Sequence, residues 1–178
     1  GYRESIFKNL LKGQYVICKV AFRLTKKHTI NTSYGAIEKE LETMQITIPS
    51  IRDVSNAVIK IRQSKLPDPN EIGNAGSFFK NPIVSLSLLS EIQNKYADIP
   101  NYPAPNNKVK LAAGWLIEKA GWKGRTFDNR YGVHKLQALV LVNYKDSRGE
   151  EILKLSAEII DDVKQKFNVS LEREVNIL

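Results

Sequence analysis

The chain has 178 residues, of which 42% are apolar and 26% are charged. This length suits one ordinary domain, or one domain with part of another, and the composition is that of an average globular protein. No apolar run approaches the length that spans a bilayer, so a membrane-spanning protein is excluded. The net charge of +8 asks for an acidic partner, which is a nucleic acid, a membrane surface or a phosphorylated small molecule.

The N-terminal sequence GYRESIFKNL does not start at methionine and lacks the basic-then-apolar layout of a secretory signal. It indicates a fragment or a processed chain. The single cysteine, Cys18, cannot form an internal disulfide, which fits a reducing compartment, and we expect a cytoplasmic protein. We do not expect Cys18 to be a catalytic thiol, and no zinc-ligand spacing is found, so we expect no metal.

The first strongly patterned segment is QYVICKVAFRL, residues 14–24. Its apolar and polar residues alternate, and its β-branched and aromatic residues favour a half-buried strand. A helix is predicted after residue 50, because Ser50 and Asp53 form a capping-box pattern and Pro67 marks an end. Its apolar face consists of Ile51, Val54, Val58 and Ile61.

The stretch GNAGSFFKNP, residues 73–82, places one serine between two glycines and two phenylalanines. Glycines permit positive φ and a close backbone approach to a ligand. The residues alone leave two interpretations open, a turn that joins two elements or backbone amides that face an anion. The spacing is not that of a P-loop, so Ser77 is not expected to bind magnesium. His28 and His134 lie in separate polar contexts, which argues against a hydrolase triad and favours surface or hydrogen-bonded histidines.

The second half of the chain mixes helices and strands without a strict βαβ alternation, so we predict an α+β fold. Helical spacing predicts helices at residues 85–96 and 109–124, the latter with a glycine cap at Gly121 or Gly124, and a long one at residues 149–167. A loop with three prolines and three asparagines is predicted at residues 97–108. Strands are predicted at residues 138–143 and at the end of the chain, from residue 169.

Seven stretches in this order, YRESIFK, KLPDP, GNAGSFFKNP, NYP, VKLAAGWLIE, VHKLQALVLVN and LEREV, carry a family resemblance. Together they resemble the UDP-N-acetylenolpyruvoylglucosamine reductases, the MurB family of flavoenzymes, also called UDP-N-acetylmuramate dehydrogenases. These oxidoreductases act in bacterial peptidoglycan synthesis, and so in cell wall biogenesis, cell shape and cell division. The resemblance covers residues 2–175.

The resemblance implies a division of the chain into three parts. Residues 1–66 are similar to the end of the second flavin-binding lobe, residues 67–168 to the substrate-binding domain, and residues 169–178 to a C-terminal strand that returns to the lobe. Most of the FAD site would then lie in N-terminal lobes that the chain lacks. The fragment alone is therefore expected to be inactive.

The resemblance also implies the reaction and the catalytic residues. FAD, reduced by NADPH, transfers hydride to the double bond of UDP-N-acetylglucosamine enolpyruvate, and negative charge builds up beside the substrate carboxylate. Ser77 corresponds to the proton donor of the family. Arg3, with its planar guanidinium fork, and Glu174 would position and polarise the carboxyl group, whereas without the resemblance each is an ordinary surface charge.

Six further residues match the positions that bind the UDP-sugar in the family. Tyr34 lies in a tyrosine loop that marks the longer subtype, in which the loop closes over substrate, and we expect this loop to be mobile when empty. The full set is Tyr34, Lys65, Asn81, Tyr102, Lys110 and Gln137.

One departure from the family pattern concerns the last motif. Arg173 stands where the family pattern has proline in LEPEV, which makes Glu172 the alternative to Glu174. The competing hypothesis for the whole chain is a basic, non-catalytic nucleic-acid-binding module, which uses the net charge but leaves the seven motifs unexplained. With the family hypothesis we expect neither a nucleic-acid nor a membrane partner.

Overall fold

The computed structural model describes residues 4–177, so Arg3 lies outside the described residues. The chain divides into two compact units, residues 1–61 and residues 62–178. The three-part assignment with boundaries after residues 66 and 168 stays a prediction. None of the helices in the described residues combines the length and apolar character that a membrane crossing requires.

The first unit contains a short 3-10 helix, Ile6–Lys8, the helix α1, Ile37–Thr43, and most of α2, Ile51–Lys65. The predicted capping box at α2 is confirmed. The Ser50 amide donates to Asp53 Oδ2 at 2.8 Å, and the Asp53 amide donates to Ser50 Oγ at 3.3 Å. Hydrogen bonds from the Ser50 hydroxyl and amide lower the pKa of Asp53. Among the residues of this unit that the structure describes, the buried ones are Ile37, Leu41 and Ala57.

The predicted strand at residues 14–24 is wrong. Within the described residues, no backbone hydrogen bond joins residues 15–24 to another segment. Val16 and Leu24 are 88% and 85% exposed. An alternating sequence becomes a strand only when a neighbour satisfies its amides and carbonyls, and no described segment does so here.

The second unit confirms the α+β prediction, with two antiparallel sheets and packed helices. One sheet has the strand order β1-β7-β6-β5 and the other the order β2-β4-β3. The strands are β1 Gly73–Ser77, β2 Ile83–Ser85, β3 Asn101–Ala104, β4 Lys108–Leu111, β5 Thr126–Phe127, β6 Tyr131–Val133 and β7 Val140–Asn143. The helices are α3 Leu86–Gln93, α4 Ala113–Lys119 and α5 Gly149–Phe167.

Helix α5 packs against β6, β7 and α4. Helix α3 packs against β2 and β4 of the other sheet. The apolar core lies between these layers. Its fully buried members include Leu111, Leu116, Ile117, Val133, Ile159 and Val163. The two phenylalanines of GNAGSFFKNP also belong to it, since Phe78 and Phe79 are 5% and 1% exposed.

The long helix prediction is confirmed, because α5 runs from Gly149 to Phe167. Helix α3 is also confirmed, and the Ser85 hydroxyl accepts from the Leu88 amide at 3.2 Å as its N-cap. Helix α4 ends in a Schellman motif, in which Gly121 has φ +93° and its amide donates to the Glu118 carbonyl at 2.9 Å.

Three predicted boundaries are corrected. The predicted loop at residues 97–108 contains β3 and the start of β4, with the turn residues Asn106 and Asn107 at positive φ. The helix predicted from residue 109 begins only at Ala113, because Val109 and Leu111 are buried on alternate positions of β4. The terminal strand is reduced to one isolated bridge between Phe79 and Arg173.

We predict that Phe79→Ala lowers the free energy of unfolding by about 3 to 5 kcal/mol, because it empties a fully buried aromatic site. Urea denaturation measures the change. The matched control is Ile83→Ala on β2, where the side chain is 47% exposed and the expected loss is below about 1 kcal/mol. Equal losses for the two variants would contradict the position of Phe79 in the core.

Candidate functional site

Strand β1 carries a bulge that turns Ser77 outward. Gly73 pairs with Asn143 and Asn74 with Val142, but the next pair is Ser77 with Val140, so β1 contains one extra residue. Gly76 accommodates the extra residue with φ +70°. Ser77 is exposed at the end of the bulge, whereas the Phe78 amide that follows it is bonded to the Leu139 carbonyl at 2.7 Å.

Asn74 holds the bulge in place through both groups of its amide. Its Oδ1 accepts from the Gly76 amide at 3.0 Å, and its Nδ2 donates to the Ile72 carbonyl at 2.9 Å. Sequence reasoning did not single out Asn74, although an asparagine two residues before a glycine is an Asx-turn signal. Of the two interpretations of GNAGSFFKNP, the turn is wrong for residues 73–77, which form a bulged edge strand, whereas the anion site stays a prediction.

Glu174 lies opposite the residue that follows Ser77. The Glu174 amide donates to the Phe78 carbonyl at 2.8 Å, and the Lys80 amide donates to the Glu172 carbonyl at 2.9 Å. The structure therefore pairs the backbone of Glu174 with the residue next to Ser77, so two of the three predicted catalytic residues lie on adjoining segments from distant parts of the sequence. Their side-chain roles stay predictions.

Glu172, the alternative to Glu174, already has a partner. Its carboxylate forms a salt bridge with the Lys80 ammonium group, and the Glu172 side chain is 71% exposed. Glu174 is half-buried by comparison. Glu174 stays the candidate because it matches the second glutamate of the family motif LExEV.

A second group of predicted residues gathers near the start of α4. Lys110 on β4 pairs with Tyr102 on β3, and its Nζ lies 5.8 Å from the centre of the tyrosine ring. Asn81 Oδ1 accepts from the Ala113 amide at 2.9 Å. Gln137 packs against the same helix, because a Cβ added to Gly114 would lie 3.3 Å from Gln137 Oε1.

The two remaining predicted binding residues are Tyr34 and Lys65. Tyr34 belongs to the unit of residues 1–61 and is 84% exposed. Lys65 is exposed in the last turn of α2, next to residues that line a cavity of about 670 Å³ beside the β1 bulge. The polar residues of that cavity are Arg62, Gln63, Asp68, Glu71 and Asn74.

The loop that carries Gln137 is closed by His134. The His134 amide donates to the Val140 carbonyl at 2.9 Å, and the Val140 amide donates to the Gln137 carbonyl at 3.1 Å. The imidazole is only 5% exposed, and its Nδ1 has no hydrogen-bond partner among the described residues. Burial, and secondarily the charge of Lys135, lower the pKa of His134. Of the two expected settings, a surface or a hydrogen-bonded histidine, the surface one is wrong for His134, whereas His28 is exposed.

Within the part of the chain that the structure describes, no three histidine, cysteine or acidic side chains come together as metal ligands.

Two comparisons with known proteins identify relatives. Residues 68–178 match the family model for the C-terminal domain of UDP-N-acetylenolpyruvoylglucosamine reductase. The chain is 54% identical over 179 residues to the protein of that name from Flavobacterium johnsoniae, covering 100% of this chain and 53% of the relative. The identities are 50% for the protein from Amoebophilus asiaticus and 46% for that from Pseudomonas syringae pv. tomato, each covering 99% of this chain and 52% of the relative. The chain therefore spans about half the length of these curated relatives.

We predict that Gly76→Ala lowers the free energy of unfolding by about 1 to 2 kcal/mol, because an L-residue is strained at φ +70°. An added Cβ meets no atom within 4 Å, so the loss measures backbone strain rather than a clash. Gly149→Ala is the matched control, since that glycine opens α5 without a positive φ and also has open space. Urea denaturation should show a loss only for the first variant, and a loss of the same size in both would contradict the role of Gly76.

We predict that the free energy of unfolding falls as the pH is lowered below 6.5, partly because of His134. In the unfolded chain His134 takes up a proton near pH 6.5, whereas in the folded protein its pKa is lower. The contribution of His134 to the free energy of unfolding is therefore complete above pH 6.5 and is lost as the pH falls below it. One such group contributes at most about 1.4 kcal/mol per pH unit.

Urea titrations at pH 7.5, 6.5 and 5.5 measure this fall. His134→Gln should make it shallower, whereas the control Lys135→Gln removes only the secondary cause and should keep most of it. An unchanged slope in His134→Gln would refute the assignment.

Proposed function

Because the chain belongs to the family of UDP-N-acetylenolpyruvoylglucosamine reductases, we propose that it supplies substrate binding and proton donation to an FAD-dependent, NADPH-using enzyme. That enzyme would convert UDP-N-acetylglucosamine enolpyruvate into UDP-N-acetylmuramate for peptidoglycan synthesis in the cytoplasm. The observation that carries the proposal is the backbone pairing that sets Glu174 beside an exposed Ser77.

In this proposal Ser77 protonates the substrate carbon that becomes negatively charged beside the carboxylate. A serine hydroxyl is a weak acid, so it suits only a strongly basic acceptor within hydrogen-bond reach. The bulge supports this role in two ways. It exposes Ser77, and its hydrogen bonds to Asn74 hold the preceding residue Gly76 in one conformation.

Glu174 and Arg3 would position and polarise the substrate carboxyl group. The support for Glu174 is its amide bond to the Phe78 carbonyl, one residue from the proposed proton donor. Arg3 rests on the family motif alone. A guanidinium group binds a carboxylate through two parallel hydrogen bonds, which would fix the carbon that Ser77 must reach.

Amide and cationic groups would bind the UDP portion. Asn81 and Gln137 each use the side-chain oxygen within the protein, at the Ala113 amide (2.9 Å) and at the Leu139 amide (3.3 Å). We infer that each presents its NH₂ group to the ligand, whose diphosphate and uracil are rich in acceptors. Lys110, Lys65 and the hydroxyl of Tyr102 would complete the site, and a further contact from Tyr34 rests on the family motif alone.

Bound FAD would supply the hydride, and the described residues fit one edge of such a group. Gly76 leaves open space where a Cβ would stand, and Ser77 next to it is exposed, so a flat ring has room to approach. We propose that most of the groups holding FAD lie in the half of the enzyme outside this sequence. We therefore expect no turnover by this chain alone.

Ser77→Ala in the full-length protein tests the proposal. Reduction of the flavin by NADPH should keep its rate, because that step needs no proton donor at the sugar. Reoxidation of the flavin by the enolpyruvyl substrate should slow by about a hundred- to ten-thousand-fold. Stopped-flow absorbance of the flavin separates the two half-reactions.

Ser170→Ala is the matched control, since Ser170 is an exposed serine of the same unit outside the proposed site, and both of its rates should stay unchanged. Loss of both half-reactions in Ser77→Ala would mean that Ser77 is structural, and loss of neither would refute its role as proton donor.

A further inference from the structure

Arg173 is anchored to a buried hydroxyl on α5. Its Nε donates to Ser156 Oγ at 2.7 Å, and that hydroxyl in turn donates to the Leu153 carbonyl at 2.6 Å. Ser156 is fully buried, so the hydroxyl would be costly without these partners. The bond to the Leu153 carbonyl orients the Ser156 hydroxyl so that its oxygen accepts from Arg173.

The anchor lies in a segment that has little regular structure of its own. Arg173 is opposite Phe79 in an isolated bridge, and one backbone bond flanks it on each side, from the Lys80 amide to Glu172 and from the Glu174 amide to Phe78. Leu171 is buried before this segment, whereas Asn176 and Ile177 after it are exposed. The hydrogen bond from the Arg173 side chain to Ser156 therefore connects this short pairing to helix α5.

We propose that Arg173 is a positioning residue, which through Ser156 holds Glu174 in register beside Ser77. The proposal rests on the proposed function, because it assigns Arg173 a kinetic effect only through Glu174. A single bridge with two backbone bonds is a weak pairing, and such a segment opens locally more easily than a full strand. A displacement of about 1 Å at a reacting group can cost a hundredfold in rate.

The first test is local hydrogen exchange in the full-length protein, followed residue by residue with NMR. In Arg173→Leu, which keeps an apolar stem but removes the donor, the Glu174 and Lys80 amides should exchange at least tenfold faster. The Phe78 amide, bonded to the Leu139 carbonyl just before β7, should keep its protection. Arg125→Leu is the matched control, since Arg125 is an exposed arginine stacked 4.4 Å from the centre of the Trp122 ring, and it should leave the Glu174 amide unchanged.

The second test is the pair of half-reactions. Arg173→Leu should slow reoxidation of the flavin by saturating substrate by about ten- to a hundredfold and leave reduction by NADPH unchanged. Arg173→Lys, which restores a donor, should recover part of the rate. Ser156→Ala should reproduce the loss, and combining it with Arg173→Leu should add little, because the two residues act through one bond.

The outcomes separate this inference from the proposed function. If Glu174→Gln leaves reoxidation unchanged while Arg173→Leu still speeds exchange at Glu174, the anchor exists but the proposed role of Glu174 fails. If Glu174→Gln slows reoxidation while Arg173→Leu changes neither exchange nor rate, the inference about Arg173 is overturned. Fully additive effects of Arg173→Leu and Ser156→Ala would also overturn it. Should Arg173→Leu not fold, Arg173→Lys and Ser156→Ala provide the same comparisons.

Discussion

The antiparallel pairing of β1 with β7, with one extra residue at Gly76, is the constraint on which the candidate site depends. The pairing fixes Phe78 and Phe79 in the core, and the extra residue turns Ser77 to the surface. Residues 78–80 also form backbone hydrogen bonds with residues 172–174, so the stretch that contains Ser77 is bonded to two different segments. The Ser77 hydroxyl is thus placed by backbone hydrogen bonds, which tolerate little displacement.

Several residues of the site serve the fold as well as the proposed chemistry. Asn81 holds the first amide of α4 and would also present its NH₂ group to ligand, and Gln137 does the same within the loop that His134 closes. Such double use has a physical advantage, because a side chain held by the protein loses less conformational freedom when ligand binds. For the same reason, an alanine at either position would change the stability of the protein as well as its affinity for the ligand, and the two effects could not be separated.

Local patterns predicted the helices well and the strands poorly. The signals for these helices are local, so the sequence suffices to predict the helices. They are Ser50 with Asp53 before α2, Ser85 before α3, and the apolar face of α5. Residues 14–24 have the alternation of a strand, but a strand depends on a partner that no local pattern can supply. At residues 109–111 the apolar spacing fits both a strand and a helix, and only the position between β2 and β3 decides.

By itself the sequence determined the family, through seven motifs in order, and with it the identities of candidate residues such as Ser77 and Glu174. It also determined the extent of α5, because helical periodicity is local. Only the tertiary structure decided that Ser77 stands on a bulge, that Glu172 pairs with Lys80, and that Arg173 reaches Ser156. These facts depend on register and on contacts between segments distant in the chain, and no spacing along a sequence encodes them directly.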